Sequence, residues 1–255
     1  MNFRNVEISY ANDPISEYIG SHFFEICGVP VHDTLLGEYG GKLCVLCRDY
    51  AYPGKVLEFR ELRNSIMDES VKQSATGMSL YLSNIMEVID KVINENRDSV
   101  IQRFWDMFVI DAIIGNTDRN NGNWGFTVDS GELKLYPVYD CGGCLNNKKS
   151  DEQFMRISDT EFDTYAYDFT SSYKYDSGKR INPLHYIKDN LDNTAIVNAI
   201  NKLPVSTSEL GYIIDNVKPV ISDARADWYR RIIDARINRL RSYVNNPFIS
   251  AALKM

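Results

Sequence analysis

No apolar run in this 255-residue chain approaches the roughly 18 residues that a membrane helix needs. The N-terminal stretch MNFRNVEISYANDP lacks the apolar core of a secretory signal. Cysteine is sparse: five residues, an odd number, suit a reducing compartment better than a disulfide framework. Basic charge is also in deficit, with 28 Lys and Arg against 35 Asp and Glu, a net of −7. That balance excludes a general nucleic-acid or anionic-membrane surface. The three histidines, His22, His32 and His185, are far apart in sequence and form no ligand spacing, so they read as ordinary partly buried imidazoles. There is no internal repeat and no low-complexity tract. These absences together predict a cytoplasmic protein that binds neither membrane nor, by itself, nucleic acid.

Material for a core is present, with 44% hydrophobic and 12% aromatic residues. The length suits one large domain or a domain with a small attached lobe. Two CxxC pairs raise the question of zinc. Cys44 and Cys47 lie in GKLCVLCRDY, which reads as a buried strand, and residues three apart on a strand face opposite ways. Cys141 and Cys144 frame a Gly-Gly loop flexible enough to chelate, yet one half-site falls short of the four ligands a structural zinc takes.

Asp13 and Pro14 read as an N-cap and a first-turn proline. A helix then runs to Gly28, with Ile15, Tyr18, Ile19, His22 and Ile26 on one stripe. VHDTLLGEYGGKLCVLCRDY predicts two strands around the Gly40-Gly41 turn, and Pro53-Gly54 a linker. Leu82, Ile85, Ile89 and Val92 mark an amphipathic helix. VIQRFWDMFVIDAII is apolar nearly all round and predicts a buried central helix. WGFTV and LKLYPVYD predict a hairpin turning at Asp129-Ser130-Gly131. From about residue 184 the pattern is helical. The last helix sets Ile233, Ile237, Leu240 and Val244 on one face, and its Arg-rich opposite face reads as solvated surface.

The stretch GNTDRNNGNWGF, residues 115 to 126, packs poorly and directly follows the oiliest helix. Asn, Asp and Gly form turns, so a plain helix end and loop is one reading. A calcium loop is another, but the register fails. Counting from Asp118, Gly122 falls at position five and Asp129, not Glu, at position twelve. Asp118 and Asn123, five apart on this loop, are followed by Asp140 after a hairpin. That order is the layout of phosphoryl transfer in kinases. There an exposed carboxylate takes a substrate hydroxyl's proton, an Asn offers a neutral oxygen to Mg²⁺, and a second Asp holds the metals on the phosphates.

FWDMFVIDAIIGNTDRNNGNWGF and YPVYDCGGCL together resemble the HipA/CtkA-type serine/threonine kinases. SEYIGSHFFEICGVPVHDTLLGEYGGKLCVLCRDY is similar to the same family, so the likeness covers roughly residues 13 to 150 and is looser beyond. The resemblance implies an α+β, protein-kinase-like fold, with a truncated, strand-bearing N-lobe over residues 1–52 and a large α-rich C-lobe over 53–255. It implies ATP and Mg²⁺ as cofactors and protein Ser or Thr as substrate. By position, Asp118 is the catalytic base, and Asn123 and Asp140 are the Mg²⁺ ligands. Glu17 is the acidic residue behind the nucleotide. Leu46 to Tyr50 is the hinge, with backbone near Cys47 and Asp49 meeting adenine.

The family's Gly-rich phosphate loop and its lysine precede the SEY helix, and this sequence carries neither. The expectation is therefore a partner chain supplying those strands, or a homodimer, through an interface within residues 1–50. The alternative is a catalytically silent pseudokinase acting as a binding scaffold.

Overall fold

The computed structural model describes residues 13–51, 54–66, 80–93, 96–129, 131–204 and 208–245. The expected roles of residues 1–12, Pro53 and Ser130 lie outside them. Helix α1, Asp13–Ile26, is buried by its sequence almost all round: Ile15, Ser16, Glu17, Ile19, Gly20, Ser21, Phe23 and Phe24 are all inside. The stripe expected on this helix is therefore misplaced. Tyr18, His22 and Ile26 are only half-buried, because α1 is wedged between a hairpin and the body rather than laid on one surface.

That hairpin is β1, Thr34–Tyr39, and β2, Lys42–Cys47, antiparallel, with Tyr39 opposite Lys42 across the Gly40-Gly41 turn. It is a two-stranded sheet by itself. The expectation of a buried strand at GKLCVLC fails here, because nothing among the described residues covers the sheet face that carries Leu35, Tyr39 and Leu46. Leu35, Tyr39 and Leu46 are exposed on that face, while Cys47, on the other, is exposed where the strand ends at the cavity.

A second sheet has the order β3-β4-β5, from Leu57–Glu58, Gly125–Asp129 and Glu132–Leu135. The expected hairpin is present, with Asp129 opposite Glu132 at its turn. The two-residue β3 escaped notice in the sequence, since its pairing with Phe126 and Gly125 is entirely non-local. Helix α2, Phe59–Ile66, follows it directly. Trp124 and Phe126 are buried, and the Trp124 ring stacks on Phe59 at 4.2 Å, so both anchor the sheet in the core.

The rest is helical. Helix α3, Leu82–Val92, buries Leu82, Ile85, Val88 and Ile89 on its apolar face. Helix α4, Arg97–Ile114, is the central helix, with every residue from Phe104 to Ile114 buried. Short helices α5, Asp151–Arg156, and α6, Asp159–Tyr167, each start with a capping box, Ser150 with Gln153 and Ser158 with Glu161. Then come α7, Pro183–Asp189, α8, Thr194–Asn201, α9, Ser208–Val217, and the long α10, Asp223–Val244.

The Arg-rich face of α10 is not uniformly solvated. Arg225 and Arg236 are buried. Arg236 gives Nη1 to the Ile113 carbonyl at 3.0 Å, Nε to Ala166 at 2.9 Å and Nη2 to Tyr165 at 2.9 Å. Burial lowers its pKa to about 9, so it stays charged at neutral pH. A cation at this point satisfies an orphan carbonyl at the C-terminal end of α4 and complements the helix dipole. Gly115 follows in the left-handed region, φ +66°, where a Cβ would lie 2.5 Å from Arg236 Nη1. The chain leaves the central helix at a fixed angle for this reason.

Candidate active site

The loop after Gly115 is held by a second buried arginine. Arg119 donates Nε to Asp111 Oδ2 at 2.8 Å and Nη2 to Asp111 Oδ1 at 3.2 Å, a two-point clasp on the last turns of α4. Its Nη1 donates to the carbonyls of Asn123, at 2.9 Å, and Tyr139, and its Nη2 to Cys141 Sγ at 3.4 Å. Burial disfavours the guanidinium charge, but the Asp111 carboxylate outweighs it and holds the proton on Arg119. Asn116 joins the clasp, giving Nδ2 to Asp111 and accepting the Asp118 N–H through its own Oδ1, both at 3.1 Å. Ser172 reaches across to the Thr117 carbonyl at 2.7 Å. One guanidinium thus joins the central helix, the Asn-rich loop and the segment after β5.

This pinning brings Asp118 and Asp140 onto the wall of one cavity of about 1040 Å³, together with Glu17, Cys47 and Asp49. Asn123 does not line it. It is buried behind Asp118 and donates Nδ2 to the Asp118 carbonyl at 3.1 Å. Its amide nitrogen is committed to that carbonyl. The volume is at the upper end of the range for small-molecule sites, about 300–1,000 Å³. Lys148 and Arg180 bring positive charge to the same wall.

Asp140 sits in the left-handed region, φ +59°. Non-glycine residues rarely adopt it, and such backbone clusters at functional sites. Desolvation pushes its carboxyl up; Arg119 opposes this, while Glu17, Asp118 and Asp111 add to the rise. Four carboxylates therefore press on one region that holds a single buried arginine.

Glu17 is buried at 7% exposure and meets no lysine among the described residues. It pairs with His32 instead, Oε1 to Nε2 at 2.8 Å, and accepts Ser21 Oγ–H at 3.2 Å and the Cys141 N–H. Burial raises its carboxyl, but His32, Arg119 and the Cys141 amide together hold it below its ordinary value. Reading His32 as an ordinary partly buried imidazole is thus corrected. It is 6% exposed, fixed by its N–H on the Val138 carbonyl at 2.9 Å, because the loop after α1 pairs with the segment after β5.

The Cys141–Cys144 loop is also unlike its expectation. Both thiols are buried, and burial raises both pKa values. Cys144 donates to the Ser16 carbonyl at 3.3 Å, so the loop is packed under α1 rather than free to chelate. At Gly143 a Cβ would lie 2.9 Å from the Cβ of Asp118, so only glycine lets this loop close on the carboxylate.

At the hinge, Asp49 Oδ1 accepts the Ala51 N–H at 2.8 Å and the Tyr136 hydroxyl at 3.2 Å. The Tyr136 oxygen accepts the Tyr50 N–H at 3.0 Å. Sequence reasoning assigned no site role to Asp111, Asn116, Gly143 or Tyr136. Asp111 alone left a trace, as one of two acids, with Asp106, in the apolar half of its helix.

No family model matches the chain. The chain is 28% identical over 97% of its length, and 77% of the relative's, to the serine/threonine-protein kinase CtkA of Helicobacter pylori. The crystal structure of that organism's proinflammatory kinase CtkA superposes with a TM-score of 0.85 at 28% identity, covering 95% of this chain and 85% of that one. A Shewanella oneidensis toxin–antitoxin complex of HipA, HipB and operator DNA gives a TM-score of 0.58 at 14% identity, covering 99% of this chain and 59% of that one, a likeness of fold alone. No described helix is long and apolar enough to cross a membrane. In sequence and architecture together the chain is similar to the serine/threonine-protein kinase CtkA, and it shares the α+β kinase-like fold of CtkA and HipA.

Proposed function

We propose that the cavity binds ATP with Mg²⁺ and that the chain phosphorylates a protein serine or threonine, with Asp118 as the base. The observation that carries this is the meeting of Asp118 and Asp140 on one cavity wall, over a loop locked by Arg119. The donor set fits a hard divalent ion: Asp140 offers carboxylate oxygen, Asn123 an amide oxygen, and their surroundings are rich in negative charge. A bound ion would neutralise phosphate charge as it shifts during transfer.

The remaining work falls to the chain. Asp118, exposed on a rigid loop, accepts the hydrogen bond and then the proton of the attacking hydroxyl. Asn123 holds Asp118 by its carbonyl, and its Oδ1 would be the oxygen offered to the ion. The backbone at Cys47 and Asp49 meets adenine, on a hinge that Tyr136 fastens to the segment after β5. The division at residue 52 follows this hinge. Lys148 and Arg180 supply cations on the phosphate side of the same wall.

The hairpin supports a partner for residues 1–50. Leu35, Tyr39 and Leu46 are 69%, 84% and 57% exposed on a two-stranded sheet whose edges meet no further strand among the described residues, and such edges pair with other strands. Sedimentation of the purified chain reads whether a second copy docks there.

The test of function is phosphate transfer from labelled ATP to a Ser/Thr peptide mixture, with calorimetry of nucleotide binding in and out of Mg²⁺. Mg²⁺ should raise nucleotide affinity in the parent and fail to do so in Asp140→Ala. Equal titrations of the two would remove the metal role.

A further inference from the structure

His32 and Cys47 are fifteen residues apart in sequence, on different segments, and neither belongs to the machinery for handling phosphate. In the fold they meet at Glu17. A ring nitrogen of His32, the Cys47 sulfur and a Glu17 oxygen all lie within 4.8 Å of one another, on the wall of the large cavity. One nitrogen, one sulfur and one carboxylate oxygen form the donor set of zinc, a borderline-soft ion, and not of Mg²⁺.

We propose that Glu17, His32 and Cys47 form a zinc-binding site, distinct from the Asp140–Asn123 pair, that staples α1 to the end of β2. A tetrahedral zinc with bonds of 2.0–2.3 Å sets its ligand atoms about 3.3–3.7 Å apart. The Glu17–His32 separation of 2.8 Å must therefore open by less than an ångström, and the sulfur must close by a similar amount. Cys47 can make that move, because it is the exposed last residue of β2.

The two buried donors are already oriented by groups that are not ligands. Ser21 Oγ and the Cys141 N–H hold Glu17, and the main-chain pairing of His32 with Val138 fixes where its ring starts. Such outer partners set ligand direction in metal sites. A fourth position faces the cavity and is left to water or an incoming ligand.

The charges balance on binding. The Cys47 thiol loses its proton to solvent as the sulfur–zinc bond forms, and the Nε2 hydrogen that His32 gives to Glu17 leaves or moves to Nδ1 as that nitrogen turns to zinc, so thiolate and Glu17 carboxylate together cancel the ion's two charges. Without an ion the thiol is held protonated, since desolvation and the nearby Glu17 and Asp140 carboxylates all raise its pKa. Zinc binding therefore releases a proton and strengthens as pH rises. It also draws the hinge against α1, so zinc and nucleotide compete for one cavity.

The experiment uses the reduced full chain without nucleotide, so it stands or falls independently of the kinase reading. Zinc is titrated against a chromogenic chelator, and Co²⁺ is added separately to look for thiolate-to-metal charge-transfer absorption. The parent should bind one zinc and show that band. Cys47→Ser, a change at an exposed site that leaves the core alone, should abolish the band and weaken zinc by at least about tenfold. His32→Gln should weaken zinc as well, provided its circular dichroism matches the parent. Cys44→Ser, on the same strand but outside the cluster, should bind as the parent does. The proposal is overturned if Cys47→Ser retains parental zinc affinity, if Cys44→Ser loses it equally, or if the parent takes up no zinc at micromolar free metal.

Discussion

Arg119 and Asp111 form a buried, two-point ion pair, eight residues apart, that turns the end of the central helix into the mount of the Asn-rich loop. Removing the arginine strands a buried carboxylate whose burial already favours its neutral form. Arg119→Ala should cost about 3–5 kcal/mol, as expected when one partner of a buried pair is lost. Urea denaturation measures it. A loss below about 1 kcal/mol would mean that the clasp does not hold the loop.

Asp118 carries the opposite expectation. It is exposed, and its contacts to the loop run through its backbone. Asp118→Asn should therefore keep parental stability while phosphate transfer falls by about 10²–10⁴-fold. Residual transfer near the parental rate would move the base elsewhere.

At Asp140 the sign of the pH effect separates two roles. Its folded pKa is raised, so its contribution to stability is fully present below the unfolded pKa and is lost as pH rises through the folded value. Asp140→Asn removes that repulsion and tolerates a left-handed backbone. It should melt higher than the parent at neutral pH, with the difference fading toward acid, and lose the gain in nucleotide affinity from Mg²⁺. Asp140→Ala meets an added backbone penalty of about 1–2 kcal/mol. Thermal melts across pH compare all three chains.

Glu17 runs the other way. Its folded pKa is lowered, so it stabilises the fold above its unfolded value of 4.5, and that support drains as pH falls through the folded value. Glu17→Gln should flatten the acid limb of the stability curve. An unchanged acid limb would show that the His32 pair does not persist in solution.

Gly143→Ala places a Cβ 2.9 Å from that of Asp118. Overpacking of this kind costs about 1–3 kcal/mol, whereas displacing the base by about an ångström costs about 10²-fold in rate. Transfer should fall out of proportion to stability, a split that steady-state rates and melting curves read together.

The sequence by itself determined the elements whose signals are local. The buried α4 follows from an apolar run with no polar face, the β4–β5 hairpin from alternation around Asp129-Ser130-Gly131, and the Asp118, Asn123 and Asp140 order from spacing along one connected segment. Tertiary structure alone decided what depends on partners distant in sequence. Leu46 is apolar yet exposed, because burial of a strand depends on a covering layer that its own residues do not encode. Arg225 and Arg236 read as surface charge and are buried, because the carboxylate and carbonyls that accept their hydrogen bonds come from other parts of the chain. His32 became the partner of Glu17 only when its loop paired with Val138, more than a hundred residues away. Periodicity reports what one segment needs to bury; which distant group meets it there is set by the packing of the whole chain.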